Sequence, residues 1–326
     1  MTETPSAIAP LPAPLRGIFF ALGGALVLSV NDLAIKALSG KYALHQVILT
    51  RAFVGMALVL AVMALSERGL GQIVTRCPRD HLIRVSIVMV SNVTYFLGLA
   101  ALPLADAVAT AFVAPLFITL LSALILKEPV GPRRWAAVGV GMAGVIVMLR
   151  PGAGVIQPAA LLVLVSAFSY ASSHMMTRRM RETESAMTLN FYTQLGFIVV
   201  SSSMGFWVGD GHLSGASDPS LAFLFRQWHW PPLADWPYFI ATGLAVGIGG
   251  LMMAQAYRTT EAALVAPFEY AGMPMAILWG VLFFGTWPDL TAWAGIALIC
   301  GAGLYTLWRE TVRKQVQDVA APSGDL

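Results

Sequence analysis

Four ionisable side chains stand inside long apolar stretches of this sequence: Asp32, Arg51, His174 and Glu269. Placing such a group in hydrocarbon costs at least ~2.5 kcal/mol on insertion scales, so each is a candidate for chemistry. Asp32 and Arg51 come from consecutive stretches. If both stretches are helices, each residue lies about 7 Å from its helix centre toward the same end. The two can meet there, either as an ion pair that locks two helices or as groups that grip a solute, and pairing would hold the carboxylate charged. Lys36 lies near the end of its stretch, where a lysine can snorkel to the headgroups. Glu269 has no cation close in sequence, because no basic residue follows it until Arg309. A carboxyl so placed can exchange protons, or remain a neutral hydrogen-bonded group. Pro267 and Pro274 bracket it, each removing a backbone donor, so the chain there can bend and expose carbonyls to a cavity.

His174 ends a polar stripe of Ser166, Ser169, Tyr170 and Ser173, spaced so that most of it falls on one helix face. Hydroxyl residues in such stripes glue packed membrane helices, or they line a cavity. Asn92, Tyr95, Tyr192, Gln194, Gln255, Tyr257, Tyr270 and Trp279 add further groups able to orient a bound metabolite. The solute-binding candidates are therefore Asp32, Arg51, Asn92, Tyr95, Tyr170, His174, Tyr192, Gln255, Tyr270 and Trp279, with Glu269 as the proton-coupling candidate. The set suits a polar, ring-bearing or zwitterionic solute. Gly243, Gly247 and Gly250 have the small-residue spacing of a close helix contact.

These groups need helices to position them. Of 326 residues, 57% are hydrophobic and 11% charged, and mean hydropathy is +0.73. Soluble domains carry about 25% charged residues, so this chain cannot coat a water-soluble surface. The apolar runs have the length of roughly 20 residues that spans a bilayer. They fall near 15–37, 45–66, 82–102, 105–127, 133–150, 157–178, 186–209, 236–257, 261–285 and 290–308. The expected fold is an all-α integral membrane protein of ten transmembrane helices. Residues 1–14 lack the basic segment of a secretory signal and read as a disordered tail, and 309–326 as a second tail.

Orientation follows from Lys and Arg at the span ends. With the N-terminus inside, inner segments hold Arg16, Arg68, Arg76, Arg79, Arg84, Lys127, Arg133, Arg134, Arg178, Arg179, Arg181, Arg258, Arg309, Arg313 and Lys314, and outer ones only Lys36, Lys41, Arg150 and Arg226. Both termini are therefore expected in the cytoplasm. The outer loop 210–235 carries Trp228 and Trp230, suited to headgroup depth.

The chain also repeats itself. Leu126-Lys127-Glu128-Pro129, Trp135 and the glycine-rich 139–144 have a later counterpart in Phe284-Gly285-Thr286-Trp287-Pro288, Trp293 and the glycines of 295–303. Two halves of five spans, 15–150 and 151–308, would enter the membrane in opposite senses, an architecture that places a solute site between the halves.

Other classes lack their residues. No HExxH, GxSxG or P-loop is present, and the GxGxxG match at 139–144 lies inside an apolar span with no strand before it. Cys77 and Cys300 give no metal or disulfide spacing, and His212 with His229 has no third ligand. Basic residues lie between spans instead of forming a nucleic-acid-binding face. No catalytic residue, metal site or cofactor is expected, and the single-chain repeat favours alternating access over a channel.

Particular strings carry a family resemblance: Asn31-Asp32 with Lys36, Thr50-Arg51-Ala52, Ala101 to Ala107 through Ala114-Pro115-Leu116, Lys127-Glu128-Pro129, Gln255-Ala256-Tyr257-Arg258, and Ala262 to Phe268 with Tyr270. In their order and spacing the chain resembles the ten-helix, EamA-type group of the drug/metabolite transporter superfamily. That resemblance implies two inverted five-helix repeats in a cell inner membrane. It also implies ion-coupled or exchange transport of a small metabolite. Export of amino-acid-like solutes is the first expectation, and uptake of a vitamin or nucleoside-like cofactor such as riboflavin or S-adenosylmethionine is the second. Gly285-Thr286 departs from the Gly-Glu often found in the family's second repeat, so no paired carboxylate at the two repeat ends is expected to act.

Overall fold

The computed structural model describes residues 13–320 apart from 68, 126, 128–130 and 150–157. The tail over residues 1–12, Arg68, Arg150 and most of the 126–129 repeat signature therefore lie outside the described residues. Thirteen α-helices follow in order: α1 (Ala13–Ser39), α2 (Leu44–Leu65), α3 (Pro78–Ala101), α4 (Leu104–Ala111), α5 (Ala114–Ile125), α6 (Pro132–Leu149), α7 (Pro158–Arg179), α8 (Ala186–Val208), α9 (Pro219–Phe225), α10 (Trp236–Thr259), α11 (Ala262–Val265), α12 (Gly272–Phe284) and α13 (Leu290–Ala320). Among the described residues there is no strand.

Seven helical stretches are long and apolar enough to cross a membrane: Leu15–Ser39, Leu44–Leu65, Pro78–Ala101, Leu104–Ile125, Pro158–Arg179, Ala186–Val208 and Leu233–Thr259. Shorter apolar helices cover Trp135–Gly144, Phe268–Phe284 and Leu290–Ala302. The start signals are local. Pro78 opens α3 where its missing N–H costs nothing, and the Ser185 hydroxyl accepts from Thr188 N–H at 3.1 Å to cap α8. Gly285, at φ 62°, ends α12 in the left-handed conformation open to glycine.

Two of the expected continuous spans are broken. The stretch 105–127 divides at Phe112-Val113 into α4 and α5, and 261–285 divides into α11, a 3-10 turn over Ala266–Ala271, and α12. Each break carries an Ala-Pro step, Ala114-Pro115 and Ala266-Pro267. A proline lacks the N–H for the i−4 carbonyl and its ring crowds that carbonyl, so a helix cannot run through unchanged. The last helix also runs on to Ala320, past the expected end at 308 and into what reads as a tail.

The most extensive helix contacts pair α1 with α10, α3 with α7, α6 with α13 and α2 with α8, while α4 meets α12. Small residues let these helices approach closely. A Cβ on Gly243 of α10 would sit 3.0 Å from the Arg51 carbonyl oxygen of α2, and one on Gly98 of α3 would sit 2.8 Å from the Ala159 oxygen of α7. Because lipid is as apolar as the side chains, such packing replaces the hydrophobic drive that assembles soluble bundles.

Candidate functional site

A cavity of about 270 Å³ lies among α1, α2, α3, α7, α8, α10 and the two helix breaks. Phe112 and Pro115 line it from the first break, and Glu269 and Gly272 from the second. Discontinuous membrane helices are tolerated where the irregular backbone faces a cavity. On α3 the lining residues Arg84, Val88, Ser91, Asn92 and Tyr95 recur at helical spacing, and on α7 Ser166, Tyr170, Ser173 and His174 do the same. One face of each helix is thus given over to the cavity.

Two polar clusters stand in its wall. The first is built on Arg51, whose side chain is 1% exposed. Its Nη2 donates to Asn92 Oδ1 at 2.8 Å and its Nη1 to Asn31 Oδ1 at 3.4 Å. The guanidinium also lies over the Phe96 and Phe197 rings, 5.0 and 4.7 Å from their centroids. Asp32 accepts from Tyr95 Oη at 3.0 Å and from Asn31 Nδ2 at 3.2 Å. Asp32 and Arg51 therefore share one cluster, yet no direct ion pair joins them. The Asn31 amide bridges them, its oxygen toward the arginine and its nitrogen toward the aspartate.

Lys36 departs from its expected place. Its Nζ donates to the carbonyls of Leu99 at 2.7 Å, Ala100 at 3.3 Å and Leu102 at 2.6 Å, turned inward onto the end of α3 rather than out to headgroups. The carbonyls left free at a helix C-terminus carry partial negative charge, which draws the ammonium.

The second cluster centres on Glu269, 7% exposed. Its Oε2 accepts from Tyr170 Oη at 2.9 Å and its Oε1 from the Tyr257 hydroxyl. No cation lies within ion-pair distance of it among the described residues. His174 stacks on Tyr257 at 3.9 Å between centroids and meets Tyr170 edge-on at 4.3 Å. Both of its ring nitrogens lack a hydrogen-bond partner.

Of the remaining candidates, Asn92, Tyr95 and Tyr170 line the cavity. Tyr192, Gln255, Tyr270 and Trp279 are not in its wall. Tyr192 donates to the Ile73 carbonyl at 2.9 Å, and Gln255 accepts from Arg258 at the end of α10. Tyr270 packs against Phe112 with its hydroxyl unpartnered, and Trp279 Nε1 donates to the Ser29 hydroxyl at 3.2 Å. Arg84 is the reverse case. Counted above among inner-loop charges, it is 7% exposed and lines the cavity. Its eight-residue spacing from Asn92 was the available signal, because that spacing puts both on one face of α3.

The loop leading into α10 is fastened to the α1–α2 turn. Lys41 Nζ and Tyr42 Oη donate to Asp235 at 3.1 and 2.6 Å, and Gln46 Nε2 donates to the His229 carbonyl at 2.6 Å. Burial and the adjacent Asp235 carboxylate push the Tyr42 phenol up to about 12, so it remains a donor across the physiological range. His229 stacks on Tyr42 at 4.7 Å.

The chain matches the EamA-like transporter family over residues 15–150 and again over 157–308. It belongs to that family. The transporter is 29% identical to a riboflavin transporter of Rhizobium johnstonii over 97% of this chain and 98% of that protein. It is 24% identical to an S-adenosylmethionine uptake transporter of Rickettsia prowazekii, over 91% of this chain and 94% of the other. It is also 24% identical to a pseudopaline exporter of Pseudomonas aeruginosa, over 87% and 93% respectively. A solved structure aligns with a TM-score of 0.67 at 22% identity, covering 92% of this chain and 98% of that one, which supports the fold. The chain is thus a multi-pass membrane protein that transports a small molecule, and not an enzyme.

Proposed function

We propose that this transporter takes up a ring-bearing vitamin or nucleoside-like cofactor, riboflavin foremost, by alternating access across the inner membrane. The observation that carries the reading is the cavity. Its walls are largely apolar and aromatic, with Phe96, Phe112 and Phe197 among them, and polar groups such as Arg84, Asn92 and His174 interrupt them, as a planar solute with polar edges requires. Full-length similarity to a riboflavin transporter supports the same choice over the amino-acid-like export expected first. An α-amino acid would also call for a free carboxylate to meet its ammonium. Here both carboxylates of the cavity, Asp32 and Glu269, are engaged by tyrosine hydroxyls.

Ten spans in two inverted five-helix repeats, 15–150 and 151–308, underlie the mechanism. In support, exchanging the halves turns the α1–α10 contact into α7–α3 and the α4–α12 contact into α11–α5, and leaves α2–α8 and α6–α13 unchanged as pairs. The two Ala-Pro breaks occupy matching spans. Rocking one half against the other around a central cavity then exposes it to each side in turn. Both termini are cytoplasmic, in keeping with the distribution of Lys and Arg.

Glu269 is the coupling group. Its two tyrosine partners can donate to the carboxylate and, by turning, one can accept from the carboxylic acid, so either protonation state keeps hydrogen bonds. The test uses purified protein in proteoliposomes with radiolabelled riboflavin and an imposed pH gradient. Gradient-driven accumulation is expected for the wild type and lost in Glu269→Gln, with binding retained. Accumulation of amino acids but not riboflavin would restore the first expectation. Unchanged accumulation and pH dependence in the variant would leave Glu269 a structural carboxyl.

A further inference from the structure

Arg84 is a buried cation without a counter-charge. Its Nε donates to Thr177 Oγ1 at 2.8 Å, and its Nη1 to Thr193 Oγ1 at 2.8 Å and the Leu189 carbonyl at 3.2 Å. All three acceptors are neutral, and no carboxylate lies within 4.0 Å of the guanidinium among the described residues. Nη2 has no protein partner there, and it is not among the side-chain atoms enclosed without one. A guanidinium cannot shed its proton, and an uncompensated charge at this depth is expensive. Something else must meet it.

His174 lies beside it. Thr177, which holds Arg84 Nε, is one turn beyond His174 on the same face of α7. Tyr257 stacks on the imidazole and Tyr170 meets it at a steep angle, and both ring nitrogens are enclosed without a hydrogen-bond partner. Both residues line the cavity. Arg51 has both terminal nitrogens bonded to asparagines and two rings over its guanidinium, with only the enclosed Nε unpartnered, whereas this pair keeps a terminal guanidinium nitrogen and two ring nitrogens without a partner.

We infer that Arg84 and His174 form a subsite that reads an acceptor-rich ring edge of the cargo, a dione or imide in which carbonyl oxygens flank an N–H. Arg84 Nη2 donates to a carbonyl oxygen on which negative charge accumulates. A His174 nitrogen accepts from the imide N–H, with the proton on its other nitrogen. A carbonyl edge offers the guanidinium partial negative charge without bringing a second full charge into the membrane. The subsite rests on the carrier reading above and adds which end of a flavin-like ring lies against α3 and α7.

The experiment measures quenching of flavin fluorescence on purified protein in detergent, with riboflavin and an analogue methylated at the ring imide nitrogen. The proteins are the wild type, Arg84→Gln, Arg84→Lys and His174→Phe, each first checked for a monodisperse peak and a wild-type melting point. A hydrogen bond to a charged group is worth ~1.5–3 kcal/mol, so Arg84→Gln is expected to weaken riboflavin binding about tenfold or more, with Arg84→Lys in between. His174→Phe keeps the stack but not the edge, so it should bind riboflavin and the methylated analogue equally, where the wild type prefers riboflavin. If Arg84→Gln does not fold, the Lys and Phe variants still decide the matter. Wild-type binding with unchanged affinity and discrimination in the variants overturns the subsite and leaves the carrier reading intact. Absence of riboflavin binding by the wild type sinks both.

Discussion

The Arg51 cluster and the Glu269–His174 cluster share one cavity but differ in how their polar groups are satisfied. Around Arg51 the protein supplies two asparagine oxygens and two aromatic faces, leaving only the enclosed Nε without a partner, and the neighbouring Asp32 has Tyr95 and Asn31. Around Glu269 it supplies hydroxyls and, among the described residues, no cation, and it leaves both His174 nitrogens buried without a partner. A buried charge closed by its own chain holds helices together, since removing it strands its partners. A buried polar group left open is poised to trade its partner during a transport cycle. Position in the sequence does not separate the two roles, but the hydrogen-bond inventory does.

Substitutions can break that contrast. Arg51→Leu removes two charge-assisted hydrogen bonds and both ring contacts, and is expected to cost about 3 kcal/mol or more, read as lost folded yield and a lower melting point in detergent. A wild-type melting point would place Arg51 among the open groups. Asn31→Ala removes the bridge between Arg51 and Asp32 and should cost about 1–3 kcal/mol, because it leaves a buried polar group unsatisfied. If it costs nothing, the bridge is incidental.

The other cluster should behave in the opposite way. Glu269→Gln keeps a side-chain oxygen and adds donors within reach of Tyr170 and Tyr257, so its stability should stay within about 1 kcal/mol of wild type while the pH dependence of transport flattens. A large loss of stability with an unaltered pH profile would move Glu269 into the structural class. His174→Phe has the smallest expected effect on folding, about 0.5 kcal/mol or less, because no protein hydrogen bond is lost and the stacking is kept. A marked drop in melting point would show that the imidazole has a partner that matters to the fold.

The sequence by itself determined the solvent of this protein and much of its plan. Apolar runs with so little charge can only be membrane helices, and the expected runs match α1, α2, α3, α7, α8 and α10 to within a few residues. Depth along a helix is also legible, because rise per residue is fixed, and that put Asp32 and Arg51 in one layer. Proline marked where Glu269 would lie on irregular backbone, because the missing N–H is a local property.

Tertiary structure alone decided what those groups touch. A basic residue at the end of a span can reach outward to water or turn inward, and the choice depends on acceptors supplied by other helices. Arg84 turns in because Thr177 and Thr193 offer hydroxyls, and Lys36 because the end of α3 offers carbonyls. Tyr192 and Gln255 are polar enough for the cavity yet spend their bonds on Ile73 and Arg258 at its periphery. Ile73 lies 119 residues from Tyr192 in the chain, so no local spacing encodes that bond, whereas Gln255 and Arg258 are one helical turn apart. In hydrocarbon an unmade hydrogen bond is costly wherever it occurs, so the packing that brings a partner within reach is what fixes a polar residue's role.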